Sequence, residues 1–491
     1  MKTLGIDMGS SSVKVSLMDV ETGRCIASST NPKVEMPIDA PQSGWAEQDP
    51  EMWWRYICDG IRAVAEGNSL ADVRAIGITY QMHGLVMLDK AGRPLRKAII
   101  WCDSRAVGIG ADAFDALGHE RCLTHLLNSP GNFTASKAAW VRSNEPDIFA
   151  RADKFMLPGD YAAYRLSGCI STTESGLSEQ ILWDFAEGRR ADFVADHYGI
   201  PLSMIPEVGC SIGIEAATNA ETQALFGIPA GTPISYRAGD QPNNAFSLNV
   251  LDAGEVAATG GTSGVVYGVA DTRKYDPQSR VNTFLHVNHT ASAPRYGILL
   301  CINGTGIMNS WLRRNIAAGM DYDSMNTLAA GVPAGSEGLL AIPFGNGAER
   351  VLGNRTTGAA FAGIDLNRHT TAHMIRAVHE GIAYSFRYGM DIMRETGVSP
   401  SVIRAGKANL FLSPVFRETL ATLTGADIEL FNTDGSLGAA RGAALGAGLY
   451  KSREEAFASL TKLETIRPNP AWREALESGY AAWCREVENK L

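Results

Sequence analysis

Read along its apolar and polar positions, the chain predicts three short strands at its start, residues 4–8, 13–19 and 24–29. Turns at Gly9–Ser12 and Glu21–Gly23 join them. A helix opens at Asp49-Pro50-Glu51, where aspartate suits the cap and proline the first turn, and it carries Trp53, Trp54 and Ile57. Strands follow at 73–80, 85–88 and 97–101, helices at 135–143 and 184–196, and an apolar strand at 232–236 that runs into Arg237-Ala238-Gly239-Asp240. The second half repeats the theme. Strands are predicted at 255–259, 264–269 and 296–302, and a long helix at Ala372–Arg394, where Ile375, Val378, Ile382 and Phe386 recur at helical spacing. A Gly/Ala-rich stretch, 435–446, lies near the end. Strands then helices, twice over, predict an α/β protein of two domains, residues 1–247 and 248–491, with a ligand cleft between them.

Two of the predicted hairpins are built alike. Leu4-Gly5-Ile6-Asp7-Met8-Gly9-Ser10-Ser11-Ser12-Val13-Lys14 and Ala257-Ala258-Thr259-Gly260-Gly261-Thr262-Ser263-Gly264-Val265-Val266 each pass from an apolar run through a small polar turn to a β-branched run. Such turns expose N–H groups and hydroxyls and can hold a phosphate without side-chain hindrance. Two of them in one chain suggest related halves gripping one nucleotide from opposite sides. Asp7, at the first strand's end, can hold a hydrated magnesium ion or simply fix the turn.

Composition narrows the class. At 491 residues the chain exceeds a single core, and its formal net charge of −9 argues against a nucleic-acid binder. No apolar run is long enough to span a bilayer, so no membrane association is expected. Met1-Lys2-Thr3 leads straight into a strand-like run with no room for a secretory signal, which points to the cytoplasm. Eight scattered cysteines form no Cys-x-x-Cys pair and read as free thiols.

Several strand ends carry candidate chemistry. Asp240 in Ala238-Gly239-Asp240-Gln241-Pro242-Asn243-Asn244 can take a proton from an attacking hydroxyl, or cap a helix; the two are compatible. Gln81-Met82-His83-Gly84 puts an amide, a thioether, an imidazole and a glycine at one strand end, with His83 able to donate to substrate hydroxyls or to serve structure. Trp101-Cys102-Asp103-Ser104-Arg105 offers an aromatic wall and polar groups suited to a sugar, or a surface loop with an Asp103–Arg105 pair. Trp45-Ala46-Glu47-Gln48-Asp49-Pro50 reads as packing and capping, with Glu47 and Gln48 near enough to reach a substrate. Gly406-Lys407-Ala408-Asn409, before a helix starting near Ser413-Pro414, can admit a nucleotide or be an ordinary turn.

Taken together these segments resemble the FGGY carbohydrate kinases over essentially the whole chain. Further matching pieces are Leu157-Pro158-Gly159-Asp160-Tyr161, Arg376-Ala377-Val378-His379-Glu380-Gly381-Ile382-Ala383 and Gly438-Ala439-Ala440. Within the family, the Gln-Met-His-Gly element is similar to the branch acting on D-xylulose, and the Arg-Glu-Thr-type element of glycerol kinases is absent. The resemblance implies a two-domain actin-like (ribonuclease H-like) ATPase fold, with sugar bound in the first domain and adenine in the second. It implies Asp240 as the base, Asp7 as the residue that positions magnesium and phosphate, and Met82 and His83 as sugar contacts; Gln81, Trp101, Asp103 and Asp240 complete the expected sugar site. It implies Gly260, Gly261 and Thr262 as the second phosphate loop; Gly9, Ser10, Ser11, Ser12, Lys14, Ser263, Gly406, Lys407 and Asn409 are the further expected ATP contacts. At the adenine loop the family's Gly-Gly-Gly-Ala is replaced by Ala405-Gly406-Lys407-Ala408, which leaves nucleotide preference open.

The expected function is ATP- and Mg²⁺-dependent phosphorylation of a ketopentose, D-xylulose to D-xylulose 5-phosphate. Alternatives are another acceptor (L-xylulose, L-ribulose, gluconate), a non-catalytic actin-like ATP-binding module, and a sugar-sensing regulator. The last would need a DNA-binding domain, for which no N-terminal extension is seen. Relatives suggest a homodimer by analogy alone.

Overall fold

A computed structural model describes all 491 residues, Met1–Leu491. The chain divides into two compact units. One gathers Met1–Asn249, Phe284–Tyr296 and Thr433–Leu460, and the other Val250–Thr283, Gly297–Asn432 and Thr461–Leu491.

In the first unit the central strands are β1 (Lys2–Met8), β2 (Val13–Asp19), β3 (Cys25–Asn31), β4 (Val73–Tyr80) and β5 (Pro233–Gly239). Their order across the sheet is β3-β2-β1-β4-β5, with Ile212–Ala217 as an outer strand beyond β5. β1 and β2 form the predicted hairpin, with Asp7 opposite Lys14. β1, β4 and β5 run parallel, and Met8, Tyr80 and Gly239 stand level across them. The residues that leave these three strands therefore emerge at one edge.

The Gly435–Gly446 helix lies flat on this sheet because glycine meets backbone on both sides. A Cβ on Gly5 would sit 1.8 Å from the Ser436 carbonyl, one on Gly77 2.0 Å from that of Ala439, and one on Gly446 1.9 Å from that of Ser235. The Pro50–Ala65 helix, capped by Asp49 through Glu51 N (3.0 Å), covers β2 and β3, where Gly60 makes room for Val15.

The second unit repeats the plan. Its strands β6 (Val256–Gly260), β7 (Gly264–Ala270), β8 (Tyr296–Ile302), β9 (Val402–Gly406) and β10 (Asp427–Phe431) take the order β8-β7-β6-β9-β10. Again a hairpin, here with Gly260 opposite Gly264, is followed by two parallel strands. The Thr371–Glu395 helix buries Ile375, Val378, Ile382 and Phe386 as their spacing predicts. Two α/β units of one topology make the two-domain actin-like fold that was expected.

One element departs from expectation. Residues 184–196 are not one helix: Trp183–Asp184 and Arg189–Arg190 form a hairpin, and the helix starts only at Asp192–Tyr198. Asp184 Oδ1 accepts from Ala186 N (2.9 Å) and Glu187 N (3.0 Å), and Gly188 adopts φ +63°. This turn chemistry overrides helical propensity. Strand 97–101 shortens to Ala98–Ile99. All eight cysteines are free, and no helix is long and apolar enough to cross a membrane.

Candidate functional site

The strand-end edge of the first unit gathers most of the residues singled out above. Asp7 faces the start of the Gly435–Gly446 helix so closely that a Cβ on Gly435 would lie 2.2 Å from its Oδ2. That helix is capped by Asp434, whose Oδ1 accepts from Leu437 N (3.0 Å) and Ser436 Oγ (2.7 Å). Asp434 Oδ2 takes the Lys14 ammonium at 2.6 Å. Lys14, expected at a phosphate, is thus committed to a carboxylate 420 positions away. Burial is the main reason the Asp7 carboxyl is pushed up to about 7; Asp240 and Asp434 add to this and Lys14 opposes it. At Asp434 burial is outweighed by Lys14 and the cap hydrogen bonds, so its carboxyl stays below the usual range.

Asp240 is the first residue of the Asp240–Ser247 helix, and Gly239 holds the cap position, so Asp240 does not serve as the N-cap. Burial raises its carboxyl to about 6, with hydrogen bonds from Gln241 offsetting part of the rise. Gly239 has no side chain where Met82 passes: a Cβ there would be 2.5 Å from Met82 Cγ and 3.0 Å from Glu179 Oε2.

The loop after β4 is held tightly. His83 adopts φ +62°, a left-handed conformation that a histidine enters at a cost. Its Nδ1–H donates to the Glu179 carbonyl (3.0 Å), and its ring meets Phe133 edge-on at 4.7 Å. A carbonyl can only accept, so Nδ1 is the donor in this hydrogen bond. Gln81 is buried and donates to Gln48 Oε1 (3.1 Å), and Gln48 donates in turn to the Ser10 carbonyl (2.7 Å). Gln81 thus ties the loop after β4 to the Gly9–Ser12 turn.

Trp101 is 42% exposed, with Nε1 3.4 Å from Ser10 Oγ. Asp103 differs from expectation. It is fully enclosed, and both its oxygens are used by the protein: Oδ2 by Ala46 N (2.6 Å), and both by Arg105. Arg105 lies 3.8 Å from the Trp45 ring centroid and also pairs with Glu47 (2.8 Å). Asp103 is a bracket for the 100–105 loop and not a surface a sugar can touch.

In the second unit, the Gly260–Gly264 turn meets the 406–412 segment. Gly260 lies against Leu410, and Gly261 comes near Asn409, which adopts φ +52°. The Thr262 carbonyl accepts from Thr305 Oγ1 (3.3 Å) and Ile307 N (3.1 Å). Ser413 caps the Pro414–Thr424 helix that follows. Lys407 Nζ lies 3.3 Å from Glu464, so this cation too has a protein partner.

Asp434, Lys137, Glu179 and Thr305 escaped the sequence reading. For Asp434 a signal existed: Thr433-Asp434-Gly435-Ser436 before a small-residue run is a helix start. The other three show their role only through partners distant in sequence. No group of three His, Cys, Asp or Glu side chains is placed to hold a metal by itself.

Comparison with known proteins agrees with this architecture. The N-terminal domain of the FGGY family of carbohydrate kinases matches residues 2–247, and its C-terminal domain residues 256–449. The chain is 29% identical to the xylulose kinase of Escherichia coli (strain K12) over 93% of this chain and 92% of that one. It is 28% identical to that of Bacillus subtilis (strain 168), over 92% and 89%. Among solved structures, the xylulose kinase from Rhodospirillum rubrum aligns with TM-score 0.87 at 25% identity, covering 100% of this chain and 99% of that chain. The gluconate kinase from Lactobacillus acidophilus shares the fold, with TM-score 0.89 at 22% identity, covering 99% and 97%. This chain belongs to the FGGY family of carbohydrate kinases and is a phosphotransferase acting on an alcohol group of a sugar.

Proposed function

We propose that the protein transfers the γ-phosphoryl group of ATP to the terminal hydroxyl of D-xylulose, giving D-xylulose 5-phosphate. The observation that carries this reading is the Gln81-Met82-His83-Gly84 loop standing at the same sheet edge as Asp240, with Gly239 cut back to admit Met82. A base, the His83 imidazole and the open face of Trp101 suit a small neutral polyol. The cations of these loops are committed: Arg105 to Asp103 and Glu47, and Lys137 to main-chain carbonyls. An acceptor with a carboxylate, such as gluconate, would find no spare cation there.

In this reading Asp240 takes the proton of the attacking hydroxyl. Phosphoryl transfer asks little covalent chemistry of a protein, so positioning and charge neutralisation dominate. The Gly9–Ser12 and Gly260–Ser263 turns each offer main-chain N–H groups and hydroxyls to phosphate oxygens. Asp7 suits magnesium: it is a carboxylate raised to about 7 with Asp240 and Asp434 nearby, an environment a divalent cation would relieve. With too few protein ligands for a cage, the ion would be held by Asp7, water and the phosphates, which is how magnesium commonly binds. When bound it supplies neutralisation of the phosphate charge.

A coupled ADP-release assay with Mg·ATP tests the substrate, using D-xylulose, L-xylulose, D- and L-ribulose, gluconate and glycerol. A saturable rate confined to D-xylulose is expected. A higher rate with another acceptor overturns the substrate and keeps the roles. No stimulation by any acceptor overturns the roles as well. Asp240→Asn is expected to lower kcat by about 10²- to 10⁴-fold.

A further inference from the structure

Lys137 lies in the Thr134–Asn144 helix and is 0% exposed. Its Nζ donates to the carbonyl of His83 (2.8 Å) and to that of Ile100 (3.1 Å). The first carbonyl belongs to the loop after β4, the second to the residue before Trp101. The same helix also holds Gly84, whose carbonyl accepts from Thr134 Oγ1 (3.3 Å). An ammonium buried without an ion-pair partner is costly, and here it meets two neutral main-chain oxygens. One of these belongs to His83, whose left-handed backbone needs outside restraint.

We propose that Lys137 is a positioning residue of the acceptor site, a cationic staple that holds the 81–84 and 100–105 loops at fixed separation so that His83 and Trp101 meet the same sugar. The inference rests on the reading that these loops bind the acceptor. The groups facing Lys137 are Asp103, Cys102 and Arg105 of the 100–105 loop and Glu179 of the Glu174–Glu179 helix. Burial, only partly offset by Asp103 and Cys102, lowers its ammonium to about 7. A neutral amine still donates two hydrogen bonds, but without charge assistance. Acceptor affinity is therefore expected to weaken as pH rises through neutrality.

The test is Lys137→Met, assayed beside wild type and His83→Asn. Lys137→Met is expected to raise the acceptor KM about tenfold, the scale of a lost charge-assisted hydrogen bond, and to leave the Mg·ATP KM within about twofold. Wild-type acceptor KM is expected to rise several-fold from about pH 6.5 to about pH 8.5, and this slope should vanish in Lys137→Met. A merely structural role would not produce that slope. An unchanged acceptor KM in Lys137→Met, or equal rises for both substrates, overturns the proposal. If the variant does not fold, the wild-type profile decides, and a flat acceptor KM overturns the proposal. Failure of His83→Asn to change acceptor KM instead strikes at the assignment of the acceptor loops.

Discussion

Asp240 carries a tension between stability and function. Its folded pKa of about 6 exceeds the 3.8 of a free aspartate. A raised carboxyl contributes stability while protonated, below about pH 3.8, and loses it as pH rises through 6. Above that the ionised carboxylate burdens the fold, yet this is the form the proposed base needs. Two outcomes are expected. Wild-type kcat falls as pH drops through about 6, measured under saturating substrates. Asp240→Asn melts above wild type at pH 8 by a few degrees, and the gap closes toward pH 4 in matched thermal scans. A variant less stable than wild type at pH 8 would show that burial is not what sets this carboxyl. His83 makes a second case. Asparagine tolerates the left-handed backbone and can donate to the Glu179 carbonyl as Nδ1 does. His83→Asn should keep its melting temperature and lose acceptor affinity, whereas His83→Ala should lose both.

At the scale of elements, the helix-on-sheet contact of the first unit sets where Asp7 sits. Gly77→Ala would place a Cβ 2.0 Å from the Ala439 carbonyl, and backbone cannot rotate away as a side chain can. The Gly435–Gly446 helix must lift, carrying Asp434 and Gly435 away from Asp7. A destabilisation of about 1–3 kcal/mol by denaturant unfolding is expected. Turnover should fall further than stability explains, because the helix start and the Asp7 carboxylate part. The two small-residue hairpins were legible in the sequence because turn chemistry is local: the glycines and serines that specify them also form them. The 184–196 segment failed for a local reason too, since Asp184 and Gly188 are turn residues inside an apparently helical pattern. The partners of Lys14 and Lys407 were not legible, and of Asp103's partners only Arg105 was. Asp434, Glu464 and Ala46 come from other stretches of chain, and only folding shows that these charges are satisfied by protein.

At the scale of the whole molecule, two units of one strand order were legible from the repeated hairpin, but the exchange of segments was not. The sheet of the first unit gains its covering helix only when Thr433–Leu460 returns to it from late in the chain. That return supplies the buried Ala439, Ala440, Ala443 and Ala444 against β1, β4 and β5, Asp434 for Lys14, Ser436 for Ser16 (2.7 Å), and the Tyr450 hydroxyl for the Val20 carbonyl (2.7 Å). A fragment of residues 1–249 would expose the glycine-lined face of its sheet and leave Lys14 unpaired. Burial of apolar surface is the main favourable term in folding, and a domain short of one covering layer lies near its threshold. The fragment is therefore expected to show no cooperative thermal transition and to bind a hydrophobic dye. Adding a peptide spanning 433–460 should restore a transition that depends on peptide concentration. A sharp transition for the fragment alone, close to that of the intact protein, would mean that the returning helix decorates an already finished domain. Asp434 and Asp7 would then meet by late docking, and loss of the helix would cost activity without costing the fold.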